Sequence, residues 1–243
     1  MTSFRLCSMC AAAVMLTAVA ATPAAAQDGR ITVGVNFGGQ FGSSDFTQTT
    51  TPIIYEEAGS ISVAQTAGSG GLFDLGGSVL LFGNIGVGVS YSHTSGDGDA
   101  SIAAAIPDPL VFDRPRNASA AASDLQHTED AVHVQVQYRF AVSPKLDVTV
   151  GVGPSFFSVK QELVTNVAVS EPGPSITPTV TEVSSSPVGV NLGADAAYLI
   201  TKSIGVGVLL RYAKSTADFD LEGSSVSVDA GGFQFAAGVR VRF

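Results

Sequence analysis

"GGFQFAAGVRVRF", residues 231–243, decides how the rest of the chain is read. Every second residue is apolar: Phe233, Phe235, Ala237, Val239, Val241 and Phe243. Between them stand Gln234, Ala236, Gly238, Arg240 and Arg242. A period of two puts these sets on opposite faces of a strand, and a helix has no use for it. The sequence stops on an aromatic residue with the pattern still running. Such a strand needs partners along its edges and an apolar medium against one face.

The same period recurs seven times upstream, over 30–42, 71–82, 85–93, 130–141, 146–159, 187–200 and 204–215. Three connections are tight: Gly83-Asn84, Ser143-Pro144-Lys145 and Thr201-Lys202-Ser203. Their residues suit turns, because Gly and Asn tolerate positive φ and Pro fixes φ. Four connections are long, at about 43–70, 94–129, 160–186 and 216–230, and are rich in Ser, Thr, Pro, Asp and Ala. Structureless loops of that length are out of place in a compact soluble domain. Short turns on one side and long loops on the other describe an antiparallel, up-and-down transmembrane β-barrel of eight strands.

The beginning of the chain agrees. "MTSFRLCSMCAAAVMLTAVAATPAAAQ" carries Arg5, then an apolar run from Ala11 to Ala21, then small residues ending in Ala24-Ala25-Ala26. This is the layout of a secretory signal peptide over 1–26, cleaved after Ala26, with the barrel domain spanning 27–243. Cys7 and Cys10 both lie in this leader, so the mature chain has no disulfide and no thiolate metal site. The net charge of -9 becomes -10 once Arg5 is removed, which argues against nucleic acid as a partner. A chain with 27 Gly, no Trp and a mean hydropathy of +0.33 should cross a membrane, yet no apolar run beyond the leader approaches 18 residues.

Alternation alone does not say which face is inside, and a soluble ligand-binding barrel would turn the apolar face inward. Three features favour lipid outside. The polar face is small and charged: Asp74, His133, Arg139, Asp147, Asp195, Arg211 and Arg240 share it with many glycines. Small residues and opposed charges suit a narrow, filled lumen. The apolar face has aromatics at its ends and aliphatics between. Phe41, Phe73, Tyr91, Phe156, Tyr212 and Phe233 fall near the long loops, and Tyr138, Phe140, Tyr198 and Phe243 near the short turns. Finally, the buried Trp of a lipocalin is missing.

On these residues the chain resembles the small bacterial outer-membrane barrels of OmpA/OmpX type. The carriers are the leader "AAAVMLTAVAATPAAA", the eight alternating strands and the terminal "GVRVRF". The resemblance implies the cell outer membrane, reached through the periplasm, with lipid and lipopolysaccharide as surroundings. It also implies that Phe243, with Val241 and Val239, is the signal read by the barrel-assembly machinery. No cofactor is implied.

Four groups of residues could carry chemistry. The lumen charges Asp74, Asp147 and Asp195 can pair with Arg139, Arg211 and Arg240 as a plug, or alternatively line a small low-conductance channel. Eight strands leave room only for side chains, which favours the plug. His93 and Ser95 in "SHTSGDGD" share one face of a strand, as nucleophile activation requires. Lipid A deacylase barrels carry a similar His-x-Ser, which makes an outer-leaflet lipid hydrolase the alternative to a non-enzymatic role, with Glu129 as a distant orienter. Asp97 and Asp99 lack the further ligands of a Ca²⁺ loop. "NAS" at 117–119 matches a glycosylation acceptor without consequence here. The reading expected from the sequence is a structural, surface-interaction scaffold that displays loops to an unknown surface ligand.

Overall fold

A computed structural model describes residues 29–42, 44–67, 69–170, 173–221 and 224–243. The leader and its cleavage site at Ala26 lie outside the described residues. In chain order the strands are β1 (Ile31–Phe41), β2 (Ser44–Thr50), β3 (Ile53–Ile54), β4 (Glu57–Ala58), β5 (Ser60–Ala67), β6 (Gly70–Phe82) and β7 (Ile85–Pro107). Then come β8 (Pro115–Ser143), β9 (Leu146–Ser170), β10 (Ser175–Ser185), β11 (Val188–Leu199), β12 (Ile204–Leu221) and β13 (Ser224–Arg242).

Antiparallel pairing among the described residues closes a ring in the order β1, β6, β7, β8, β9, β11, β12, β13 and back to β1. The register keeps the apolar phase together. Val35 stands opposite Leu75 on one side and Val239 on the other. The ring is sealed at its lower end by the last residue. Ile31 N–H donates to the Phe243 carbonyl at 3.2 Å, and Phe243 N–H donates to the Ile31 carbonyl at 2.9 Å. In hydrocarbon every backbone polar group must find such a partner, and a closed ring has no edge.

The lower part of the ring has its apolar phase outside. On β8, Val134, Val136, Tyr138, Phe140 and Val142 are exposed while His133, Gln135 and Arg139 are buried. From Val132 to Val142, ten steps of about 3.3 Å at a tilt of about 40° rise about 25 Å, which matches the apolar band of a membrane barrel. Aromatic pairs mark both limits. Phe41 stands opposite Phe233, which stands opposite Tyr212 on the upper rim. Tyr138 and Phe140 lie with ring centroids 4.6 Å apart near the lower rim.

Above this band the strands do not end, and here the structure departs from the sequence reading. The stretches 94–129, 160–186 and 216–230, expected as loops, are mostly strand, and 43–70 holds a hairpin of its own. β7 and β8 stay paired up to Pro107 opposite Pro115. β5 takes over from β6 as the neighbour of β7, and β2 pairs with β5. β10 pairs along the upper part of β9.

The faces exchange roles at this level. On β12, Val206, Val208, Leu210 and Tyr212 point outward, but Lys214, Thr216 and Asp218 continue the same outward phase. The inward phase runs from Gly207, Leu209 and Arg211 to Ala213, Ala217 and Phe219. β9 does the same, with Ser155 inside below and Phe157, Val159 and Leu163 inside above. The upper half is therefore filled like a soluble protein. One cluster gathers Phe157, Val159, Leu163, Phe219 and Val228, and a second gathers Ile61, Val63, Ile102, Ile106 and Leu125.

Candidate functional site

Inward side chains of the lower half form a polar column made of several hydrogen-bonded groups. At the base Arg242 pairs with Asp147. Arg139 donates to the Gly29 carbonyl at 2.9 Å and to Thr32 Oγ1 at 2.8 Å. Higher up, Arg240 pairs with Asp195 and donates to Asn36 Oδ1 at 2.6 Å. Asn36 in turn donates to Asp74 at 2.8 Å, and Asp74 is held by Arg211 at 2.9 Å. Beside them His133 bridges Ser92 Oγ at 2.9 Å and Ser155 Oγ at 2.7 Å. Asn191 Nδ2 donates to the same Ser155 oxygen at 2.7 Å. A buried ion pair repays its desolvation only where its remaining donors and acceptors are met. The amides and hydroxyls meet many of them, while the buried Nε atoms of Arg139, Arg211 and Arg242 have no hydrogen-bond partner.

All seven charged residues singled out from the sequence point into this column, but they do not pair as a set. Arg211 and Arg240 meet carboxylates, whereas Arg139 binds a carbonyl and a hydroxyl. Asp147 is taken by Arg242 instead. Sequence reasoning passed over Arg242 although it shares the inward phase of Arg240. Asn36, Gln40 and Gln234 sit on the same phase of their strands, so alternation alone could have found them.

A layer joined to the column by the hydrogen bond from Arg211 to Gln234 Oε1, at 3.1 Å, closes its top, where the fillings change. Gln40 accepts from Gln234 at 2.7 Å and from Thr94 at 3.1 Å, and donates to Glu129 Oε2 at 2.8 Å. Glu129 Oε1 lies 2.8 Å from His127 Nε2, and His127 Nδ1 meets Gln161. Burial pushes the His127 imidazole down. The hydrogen bond and charge of Glu129, with the Gln161 hydrogen bond, push harder, and the net direction is upward from 6.5. A charged His127 donates from both ring nitrogens, to Gln161 and to Glu129.

This layer also mends the seam of the ring. β1 pairs with β13 only as far as Phe41 opposite Phe233. Beyond it, Gly231 and Gly232 adopt φ of 94° and 137°, which glycine reaches without a Cβ clash. The Gly231 N–H donates to Glu129 at 3.1 Å, and its carbonyl accepts from Gln40 at 3.0 Å. Two side chains thus take up the backbone groups of Gly231 that β1 does not pair. A cavity of about 220 Å³ lies against this seam, and another of about 90 Å³ remains in the lower lumen.

On the outer wall, His93 and Ser95 occupy the outward phase of β7 at the upper rim. His93 Nδ1 lies 2.9 Å from Asp130 Oδ1, and Tyr91 donates its hydroxyl to the same oxygen. Glu129, the carboxylate expected to orient His93, points the other way into the lumen. Adjacent residues of a strand cannot share a face, so Asp130 takes the position. Among the described residues no group of three His, Cys, Asp or Glu side chains could hold a metal ion.

The model of the family described as outer membrane protein beta-barrel domain matches residues 11–243. Among solved structures, the outer membrane protein OprG from Pseudomonas aeruginosa is 12% identical with a TM-score of 0.47, over 88% of this chain and 96% of that one. The outer membrane protease OmpT from Escherichia coli is 12% identical with a TM-score of 0.47, over 88% and 97%. Neisserial surface protein A is 12% identical with a TM-score of 0.44, again over 88% and 97%. No curated protein matches the sequence.

Proposed function

We propose that this chain, which belongs to the outer membrane protein beta-barrel domain family, is a non-enzymatic scaffold that carries an ordered interaction surface outside the cell. The chain resides in the outer membrane, where its apolar band meets lipid. The observation that carries the reading is the exchange of faces above the band. Five ring strands continue beyond the lipid with their own apolar core, so the outer half is a built structure rather than slack between strands. Lipopolysaccharide is the surrounding that its polar outer wall meets first. Replacing 97–126 by a two-residue turn tests the reading. Cells carrying the shortened protein should keep heat-modifiable barrel and lose binding to surfaces that the full protein binds. Equal binding by both would overturn it.

The filled lumen supports a plug rather than a channel, because the column leaves a lower cavity of only about 90 Å³. In planar bilayers the protein should give no stable openings of porin size. Phe243 fits recognition by the assembly machinery, with Val241 and Val239 on its outward phase. Phe243→Asp should lower the folded yield in the outer membrane, read as heat-modifiable migration.

One observation favours the second reading, a hydrolase of outer-leaflet lipid. The 2.9 Å contact to Asp130 orients His93 with Nε2 free, and Ser95 stands about 7 Å further along the same face. Release of acyl chains from lipopolysaccharide by the purified barrel, abolished in Ser95→Ala and in His93→Gln, would establish it. No release would leave the scaffold.

A further inference from the structure

The far end of the β7–β8 hairpin carries side chains that do not belong on a water-exposed surface. Leu110, Val111 and Phe112 are 90%, 45% and 75% exposed. The β3–β4 turn beside them adds Ile53 and Tyr55, at 73% and 45%. Among the described residues, every other exposed large hydrophobe except Val180 lies on the lower half.

The two turns form one body. Asp113 N–H donates to Glu57 Oε1 at 2.9 Å, and Ser60 stands opposite Ala105 just below. Ile54 packs on the cluster that holds the fully buried Ile106. Asp108 accepts the Leu110 N–H at 2.9 Å and fixes the second turn.

The backbone bears a cost to present these side chains. Tyr55 and Glu56 have φ of 54° and 65°, and Asp113 has 57°. A two-residue hairpin turn with positive φ at both central positions is at ease with Asn-Gly. Tyr and Glu in that conformation are strained, and strained turns gather where a side chain is needed.

The charges say what such a crown can meet. Around it stand Glu56, Glu57, Asp108 and Asp113 against Arg114 and Arg116. This acidic collar repels a second copy of itself and any anionic bilayer. It suits a zwitterionic headgroup, whose ammonium is outermost. The crown is made of two turns at strand ends, and a fluid leaflet conforms to an exposed apolar tip without a shaped pocket. Tyr55 brings the amphipathic ring that settles at headgroup depth.

We propose that Ile53, Tyr55, Leu110, Val111 and Phe112 form a wedge that enters the phosphatidylcholine leaflet of an opposing membrane. The proposal rests on the surface-interaction reading and names its partner.

The chain has no Trp, so Phe112→Trp reports on the wedge without background. The variant barrel, held in a tryptophan-free amphipathic polymer, is mixed with phosphatidylcholine vesicles. Its emission should shift to the blue and be quenched by brominated lipid, and the effect should weaken as phosphatidylglycerol replaces phosphatidylcholine. Ser101→Trp, on the outward phase of β7 below the crown, should stay water-exposed. Leu110→Asp combined with Ile53→Asp should reduce vesicle co-flotation about tenfold, with heat-modifiable folding unchanged. Co-flotation of the Phe112→Trp barrel without a blue shift, or no co-flotation at all, would overturn the wedge. So would binding to phosphatidylcholine-bearing cells that survives Leu110→Asp or disappears after protease treatment of those cells. Those two results would leave the scaffold reading intact, whereas no difference between full and hairpin-shortened protein would remove it.

Discussion

The lower and upper halves of the barrel use the same strands, the same period and opposite signs. Below Tyr212, β12 shows Val206, Val208 and Leu210 to the outside and keeps Arg211 within. Above it, Lys214 and Thr216 face out and Ala217 and Phe219 face in. No slip of register is needed, because β12 and β13 pair without interruption through this point. The surrounding solvent changes from lipid to water, and the side chains change with it. Alternation in a barrel therefore reports strand conformation, while the identity of the outward set reports the medium.

The largest effects should come from emptying either filling. Arg211→Met leaves Asp74 buried without its cation and should cost about 3–5 kcal/mol in urea titration of the bilayer-folded protein. Phe219→Ala, a cavity in the upper core, should also cost about 3–5 kcal/mol. The two should differ in place. Hydrogen exchange in Phe219→Ala should speed up above Tyr212 and leave the lower strands protected. Uniform acceleration would mean that the halves fold as one unit.

A smaller effect separates the outer walls. Val208→Lys enters hydrocarbon and should cost about 2–4 kcal/mol. Thr216→Lys, eight residues along the same phase, should stay within about 0.5 kcal/mol. Equal costs would abolish the distinction between the two media. Leu209→Thr, beside Val208 but 7% exposed and inward, should lose only packing, about 1–2 kcal/mol.

The most delicate test lies in the layer between the halves. The folded His127 value is raised above its unfolded one, so its stabilisation is complete below pH 6.5 and is lost as pH rises through the higher folded value. Upper-half exchange protection, corrected for intrinsic rates, should fall over that window. His127→Gln should flatten the dependence.

Much of the lower half was legible because lipid demands strong contrast. Val, Leu and aromatic residues against Gly, Asp and Arg make alternation plain in 204–212 and 233–243. The upper half hid in weak contrast. In 100–106 and 118–122 the inward positions are mostly Ala, with Ile102 and Ile106 the exceptions, and the outward ones are Ser and Ala. Small residues pack between close strands but carry little hydropathy, and stretches of Ala and Ser read as linker. The inverted sign added to this, because a face that is apolar below becomes polar above and averages out. The junction was invisible for another reason. Glu129 and His127 meet Gln40, Gln161 and Gly231 from distant parts of the chain, and no local spacing announces that.

The length of the β7–β8 hairpin also sets how the molecule bears load. A pull on the turn at 108–114 runs down two strands rooted in the membrane. Their hydrogen bonds lie across that direction, and both strands are bonded on their far sides as well, to β5 and β6 and to β9. The force therefore shears a long ladder in parallel instead of opening it one rung at a time. Rupture under tension is governed by the height of the unfolding barrier, and a ladder loaded all at once raises that barrier. The hairpin is a stiff strut, anchored where lipid holds it and strongest along its own axis.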